Sequence, residues 1–209
     1  MQHTTVADKG SKRAGRSGRL ALAGLMALAL AGCSSSSNVP RGFDITAPST
    51  FPARAGAVRG QLLVVEPKAI ASLDTERIAV RGPGGAYSYL TDGAWADRLP
   101  KLLQARLIQS FENANRLRSV GRPGDRLASD WQLLAEIRSF EVVASGATEV
   151  VVELSVKIVN DRSGRILAGR VFSARAPAAG TDAVNVSTAF NGAVQSVMRE
   201  IVLWSTGQV

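Results

Sequence analysis

The sequence predicts a single α+β domain: a mixed, mainly antiparallel sheet with two helices packed on it, behind an export segment and a tether. Three observations predict this. Short apolar or alternating segments recur in two blocks, and each block is joined to one stretch of helical period. Of the 209 residues, 45% are hydrophobic, enough for a packed core in one domain. The first 33 residues carry a charged, apolar, small-residue pattern of a quite different kind.

That N-terminal pattern is read first. Lys9, Lys12, Arg13, Arg16 and Arg19 form a positive region. Leu20 to Leu30 is an uncharged apolar run of 11 residues. A membrane-spanning helix needs ~20 apolar residues, whereas a signal-peptide core needs about half that. Leu30-Ala31-Gly32-Cys33 follows and resembles the bacterial lipobox. The resemblance implies a diacylglycerol thioether on Cys33, cleavage after Gly32 and acylation of the new terminus. Residues 1–32 are then a lipoprotein signal peptide. Two or three acyl chains, at ~0.8 kcal/mol per buried CH₂, anchor far more firmly than one. Ser34 stands where an Asp would favour inner-membrane retention, so sorting rules point to the outer membrane.

Removal of this segment changes the composition. The whole chain has a net charge of +8, but the mature chain keeps 20 basic and 16 acidic residues, or +4. No basic run survives, which argues against a nucleic-acid partner. The only cysteine is Cys33 and the only histidine is His3. The mature chain thus lacks a histidine and a free thiol. Disulfide frameworks, His-ligated zinc, and Ser–His or Cys–His nucleophile systems are excluded.

Residues 33–59, rich in Ser, Pro and Ala, read as a tether. Such a length reaches ~85 Å extended and ~28 Å as a coil. Phe43-Asp44-Ile45-Thr46 is a possible short strand within it. The domain is expected over residues 60–209. Leu62 to Val65, closed by Pro67, reads as a buried strand, and Ile78 to Val80 as a second. Gly82-Pro83-Gly84-Gly85 is a turn leading into an alternating third strand, Ala86 to Leu90, paired with the second as a hairpin.

Leu99, Leu102, Leu103, Leu107 and Phe111 then recur at helical spacing, predicting a helix to about Ala114. Asp97 is its expected cap, and Pro100 is tolerated in a first turn. Leu117 to Val120 reads as a strand returning to the sheet, and Gly121 to Asp125 as a loop. Trp131 to Val143 is a long strand whose alternation slips near Ser139, the mark of a bulge. From Glu149 to Val159, Val150, Val152, Leu154, Val156 and Ile158 alternate with Glu149, Glu153, Ser155 and Lys157. Asp161 to Gly164 turns the chain into a strand from Ile166 to Ala174. Phe190, Val194, Val197, Ile201 and Trp204 form the apolar stripe of a closing helix from about Asp182 to Trp204.

Carboxylates are the classical acid–base groups left. Glu136, Glu141, Glu149 and Glu153 fall on adjacent strands and could pair, but alternation assigns them to solvated outer positions. Asp92 and Asp97 flank Trp95 in an expected loop, with too few oxygens for a metal. Gly82 to Gly85 lacks the Lys-Ser/Thr of a phosphate loop and precedes a strand. No Gly-x-Ser-x-Gly elbow occurs. Trp95, Trp131 and Trp204 read as core or core rim, the alternative being an exposed surface that contacts a partner or lipid. Tyr87 and Tyr89 share one strand face, exposed or buried together. The residues assign no catalytic, cofactor or metal site.

One pattern spans residues 43–204. It comprises Leu73-Asp74-Thr75-Glu76-Arg77-Ile78-Ala79-Val80-Arg81, Trp95 before a leucine-rich helix, and Asp130-Trp131-Gln132-Leu133 leading to Ser139-Phe140-Glu141. It continues with Glu149 to Leu154, Asp161 to Ala168, and Glu200-Ile201-Val202-Leu203-Trp204. This resembles the ABC-type transport auxiliary lipoproteins (PqiC-like). The segment Glu66 to Leu73 lacks the Pro often seen in the family before its Leu-Asp step.

The resemblance implies a non-enzymatic lipoprotein on the periplasmic face of the outer membrane. Its expected partners are an Mce-domain protein and the associated ABC permease and ATPase, with homo-oligomerisation possible. The one residue it transfers is Cys33, as the lipidation site. Two other classes remain in view. A lipoprotein regulator of a peptidoglycan synthase would combine a tether with a small α/β domain in the same way, and a carboxylate-dependent hydrolase would need one indispensable Asp or Glu.

Overall fold

The computed structural model describes residues 41–53, 58–126 and 128–209. The export segment and Cys33 lie outside them. Among the described residues, nine strands and two α-helices follow in order, with a short 3-10 turn at Pro83–Gly85 between the fourth and fifth strands. The first block is β1 (Arg41–Phe43), β2 (Val58–Val64), β3 (Lys68–Ala69), β4 (Arg77–Arg81), β5 (Tyr87–Trp95) and α1 (Leu99–Ala114). The second is β6 (Leu117–Gly121), β7 (Trp131–Val143), β8 (Glu149–Asn160), β9 (Ile166–Pro177) and α2 (Ala183–Ser205).

The 13-residue strand β7 is the axis of one sheet. Along one edge it carries β8 in an antiparallel ladder from Trp131↔Asn160 to Val143↔Glu149, and β9 continues the meander. Its other edge is shared in succession by three short parallel strands. β2 pairs at Leu62↔Trp131, β3 at Lys68↔Glu136 and β4 at Ala79↔Glu141. The sheet therefore forks, with β6 beyond β2, and β5 and β1 beyond β4. The long ladders are antiparallel, and parallel pairing is confined to short strands. The register of β7 slips between Ile137 and Ser139, so Arg138 is the extra residue of a bulge. This keeps Leu133, Ala135 and Ile137 on the same buried face as Phe140 and Val142, although the sequence phase changes.

Both helices lie against that face and against each other. Val150, Val152, Leu154, Val156 and Ile158 are all at most 1% exposed, as their alternation requires. They join Leu103, Leu107 and Phe111 of α1 and Phe190, Val194, Val197 and Ile201 of α2 in one core. At its centre, Phe140 of β7 stacks on Phe190 of α2, with centroids 4.8 Å apart and planes 2° from parallel. Trp95 meets both rings edge-on at 5.5 and 5.2 Å. Such contacts add ~0.5–1.5 kcal/mol each beyond simple burial. Trp95 is thus a core residue that fastens β5 to β7 and α2. Trp204 meets Phe172 at 5.4 Å on the core rim.

Several expectations are corrected. The strand beginning at Tyr87 runs on through Asp92 to Trp95, so Asp92 and Trp95 are not in a loop. Asp92 accepts a hydrogen bond from the Ala183 N–H at the start of α2. The N-cap of α1 is Arg98 and makes no side-chain cap bond. Asp97 instead accepts from the Arg98 N–H and pairs with Lys101. The strand expected at Phe43 to Thr46 is shifted to Arg41–Phe43 and pairs parallel with β5. β3 answers to no feature of the sequence pattern.

The largest difference concerns residues 41–53, expected within the tether. They are part of the folded domain. Ile45 is fully buried, Thr46 bonds Asn191 and Gln195, and Asp44 pairs with Arg106. The carbonyls of Pro48, Thr50 and Pro52 accept from Asn113, Arg199 and Arg116. Proline carbonyls remain good acceptors even where the chain cannot form a ladder, so a Pro- and Ser-rich composition coexists with tight docking.

Candidate functional site: the open face of the sheet

Among the described residues both α-helices lie on one face of the sheet and none on the other. Alternation brings its side chains together from β7, β8, β9 and the forked edge. At one end, around β4 and the C-terminal half of β7, lies an aromatic and ionic patch. Arg81 donates Nε–H and Nη2–H to Glu141 at 2.7 and 2.9 Å, a bidentate pair. The Glu141 side chain is 6% exposed and that of Arg81 46%. Glu141 therefore departs from the expectation of a solvated outer residue. It lies in register between Ala79 and Val151, both buried. Its hydrogen bonds and charge raise the Arg81 guanidinium above its ordinary value.

Tyr87 and Tyr89 do share the face, as their spacing predicts, and meet edge-on at 5.7 Å. The Arg77 guanidinium sits 3.6 Å over the Tyr89 ring, and the Tyr89 hydroxyl donates to the Ser72 carbonyl. Partial burial pushes the Tyr87 phenol up from its usual value. Further along the face, Glu149 pairs with Arg175 and Glu153 with Arg138. These carboxylates are matched to arginines, not to one another. Three of the four sequence candidates thus serve ion pairs, and no carboxylate dyad forms among them.

At the other end, where the sheet forks, lies a concavity of about 460 Å³. Leu134, Val65, Lys68, Glu136, Ser155 and Lys157 are among its lining residues. Glu136, the fourth candidate, belongs here. No local pattern marks the cavity, because its lining comes from the segment at β3, from β7 and from β8, elements almost ninety residues apart at the extremes. Among the described residues no group of three or more His, Cys, Asp or Glu is placed to hold a metal. No described helix is long and apolar enough to cross a membrane.

Comparison with known proteins places this architecture. A protein from Bradyrhizobium diazoefficiens is 33% identical over 163 residues, which are 78% of this chain and 44% of that protein. The chain thus matches less than half of that relative's length. The crystal structure of a Xanthomonas campestris protein of family DUF330 superposes with a TM-score of 0.74 at 29% identity, covering 79% of this chain and 95% of that one. A Chlamydia trachomatis structure shares the fold at 14% identity and a TM-score of 0.53, over 72% of this chain and 98% of its own. The profile of the ABC-type transport auxiliary lipoprotein component matches residues 43–202, from the end of β1 to the last turns of α2. With the match running unbroken through both helices and the forked sheet, the chain belongs to the ABC-type transport auxiliary lipoprotein family, a family of auxiliary transport components and not of enzymes.

Proposed function

We propose that this chain is an outer-membrane lipoprotein, anchored through acylated Cys33, that docks an Mce-domain assembly of an ABC-type lipid transport system at the periplasmic face. Family membership over residues 43–202 is the observation that carries the reading. The lipobox-like segment ending at Cys33 supports the anchor. The packing of residues 41–53 onto the domain sharpens the geometry. Only the seven residues Ser34 to Pro40 separate Cys33 from β1, and a fully extended chain of that length spans ~25 Å. The docking surface is accordingly held near the membrane, so the partner must bridge most of the periplasm.

The test is crosslinking in intact cells, capture through a C-terminal tag and mass spectrometry of the partners. An Mce-domain protein recovered with its permease or ATPase is the expected result. A peptidoglycan synthase recovered without any Mce protein would overturn the proposal. Membrane fractionation tests the anchor separately. Cys33→Ser is expected to abolish acylation and processing, and Ser34→Asp to shift the mature protein toward the inner membrane.

A further inference from the structure

The charged side chains of the open face fall into two groups. Around β4 and the C-terminal half of β7, Arg81, Arg138 and Arg175 each have a carboxylate partner, and Arg77 stacks on Tyr89. At the cavity by the fork, Lys68, Glu136 and Lys157 have no ion-pair partner among the described residues. They are nevertheless close in the sheet. Lys68 is the register neighbour of Glu136 on β7. Glu136 pairs with Ser155 on β8, two residues before Lys157. The lining therefore presents ammonium, carboxylate and ammonium in a short arc, beside the Glu66 carboxylate that pairs with Arg98, and the Ser155 hydroxyl has no bond among the described residues.

The lining also includes apolar side chains, those of Val65, Leu134 and Ala135. Gln132 is held by its amide on Asp161, which keeps that wall in place. Exposed apolar residues border the site: Ile70, two residues beyond Lys68, is 64% exposed, and Val171, the register partner of Ser155, is 42% exposed. A volume of about 460 Å³ lies within the range of small-ligand sites.

We infer that this cavity binds a zwitterionic amphiphile, one carrying a primary ammonium beside a phosphate, with an apolar continuation. The phosphate is matched by Lys68 and Lys157 with the Ser155 hydroxyl, and the ammonium by Glu136. A purely anionic group would meet Glu136 as a like charge, and a purely cationic one would meet both lysines. An aminophospholipid headgroup and free phosphoethanolamine share this chemistry. The apolar lining residues and rim favour the lipid. The inference stands independently of which protein the chain docks.

The experiment uses the mature acylated protein in detergent micelles with isotope-labelled lysine side chains. It is titrated with short-chain phosphatidylethanolamine, short-chain phosphatidylglycerol and O-phosphoethanolamine, and read from the Lys68 and Lys157 resonances by NMR. Phosphatidylethanolamine is expected to saturate both resonances. Glu136→Gln and Lys157→Gln should each weaken it about fivefold, the scale of one exposed charge contact. Lys101→Gln, in the first turn of α1 and outside the cavity lining, should leave it unchanged, and thermal melts check that the variants fold. Equal affinity for O-phosphoethanolamine would overturn the amphiphile, since the apolar part would then contribute nothing to binding. Equal affinity for phosphatidylglycerol, unchanged binding in both cavity variants, or no saturable shift with either amine would overturn the inference.

Discussion

Glu141 shows how one residue's role depends on its neighbours. Its position in the alternation of β7 is that of a solvated outer residue, yet its carboxylate is almost fully enclosed and held by Arg81. Removing one member of such a pair strands the other. Arg81→Met is expected to cost about 1–3 kcal/mol, below the full cost of breaking a buried pair because Arg81 is itself half exposed. The double variant Arg81→Met with Glu141→Leu should recover most of that loss, since a paired charge and an apolar pair of similar volume are nearly equivalent. Denaturant unfolding of the two variants decides this. A double variant no more stable than the single would show that Arg81 acts through packing alone.

At the scale of elements, α2 depends on how its first turn is finished. Asp182 is its N-cap and accepts from the Val184 and Asn185 N–H groups. The Asn185 side chain, then the backbone donors, hold its carboxyl below the ordinary value of 3.8. A depressed folded value means that the contribution is present above the unfolded pKa and is lost as pH falls through the folded one. Asp182→Ala should therefore lower the melting temperature at neutral pH, and its difference from the parent should shrink as the solution is acidified past the carboxylate range. Asp182→Asn should retain the cap at both pH values.

The same helix start is pressed against β5 at Gly93. A Cβ there would stand 2.4 Å from the Ala183 Cβ and 2.7 Å from the Phe43 ring. Gly93→Ala is expected to cost about 1–3 kcal/mol and to loosen β1, β5 and α2 together, seen as faster hydrogen exchange in all three. Loss confined to β5 would contradict this three-way contact. The sequence pattern places the start of this helix near Asp182, but the capping role of that residue comes from the structure. The Gly93 contact was not legible in the sequence, since ninety residues separate it from Ala183.

At the scale of the molecule, the segment 41–53 decides where the domain begins. Ile45→Ala, at a fully buried position, is expected to cost about 2–5 kcal/mol in chemical denaturation. A free tether would give no change. This segment crosses both helices, bonding Arg106 and Asn113 of α1, Arg116 just beyond its end, and Asn191, Gln195 and Arg199 of α2. It therefore ties α1 to α2 in addition to their direct packing, and it leaves seven residues of sequence between Cys33 and β1.

The amino-acid pattern by itself determined the order of the main elements, the two helical stripes, the hairpin of β4 and β5, a bulge near Ser139 and the buried face of β8. Each is a local periodicity, carried by neighbouring residues and tied to the geometry of helix or strand. It also carried the family resemblance, through motifs spread along the whole domain. Only the tertiary structure decided that β2, β3 and β4 share one edge of β7, that Glu141 is enclosed, that residues 41–53 pack, and that Lys68, Glu136 and Lys157 line one cavity. Those features join residues tens to more than a hundred positions apart. Their partners are chosen by sheet topology and burial, which no short window of sequence records.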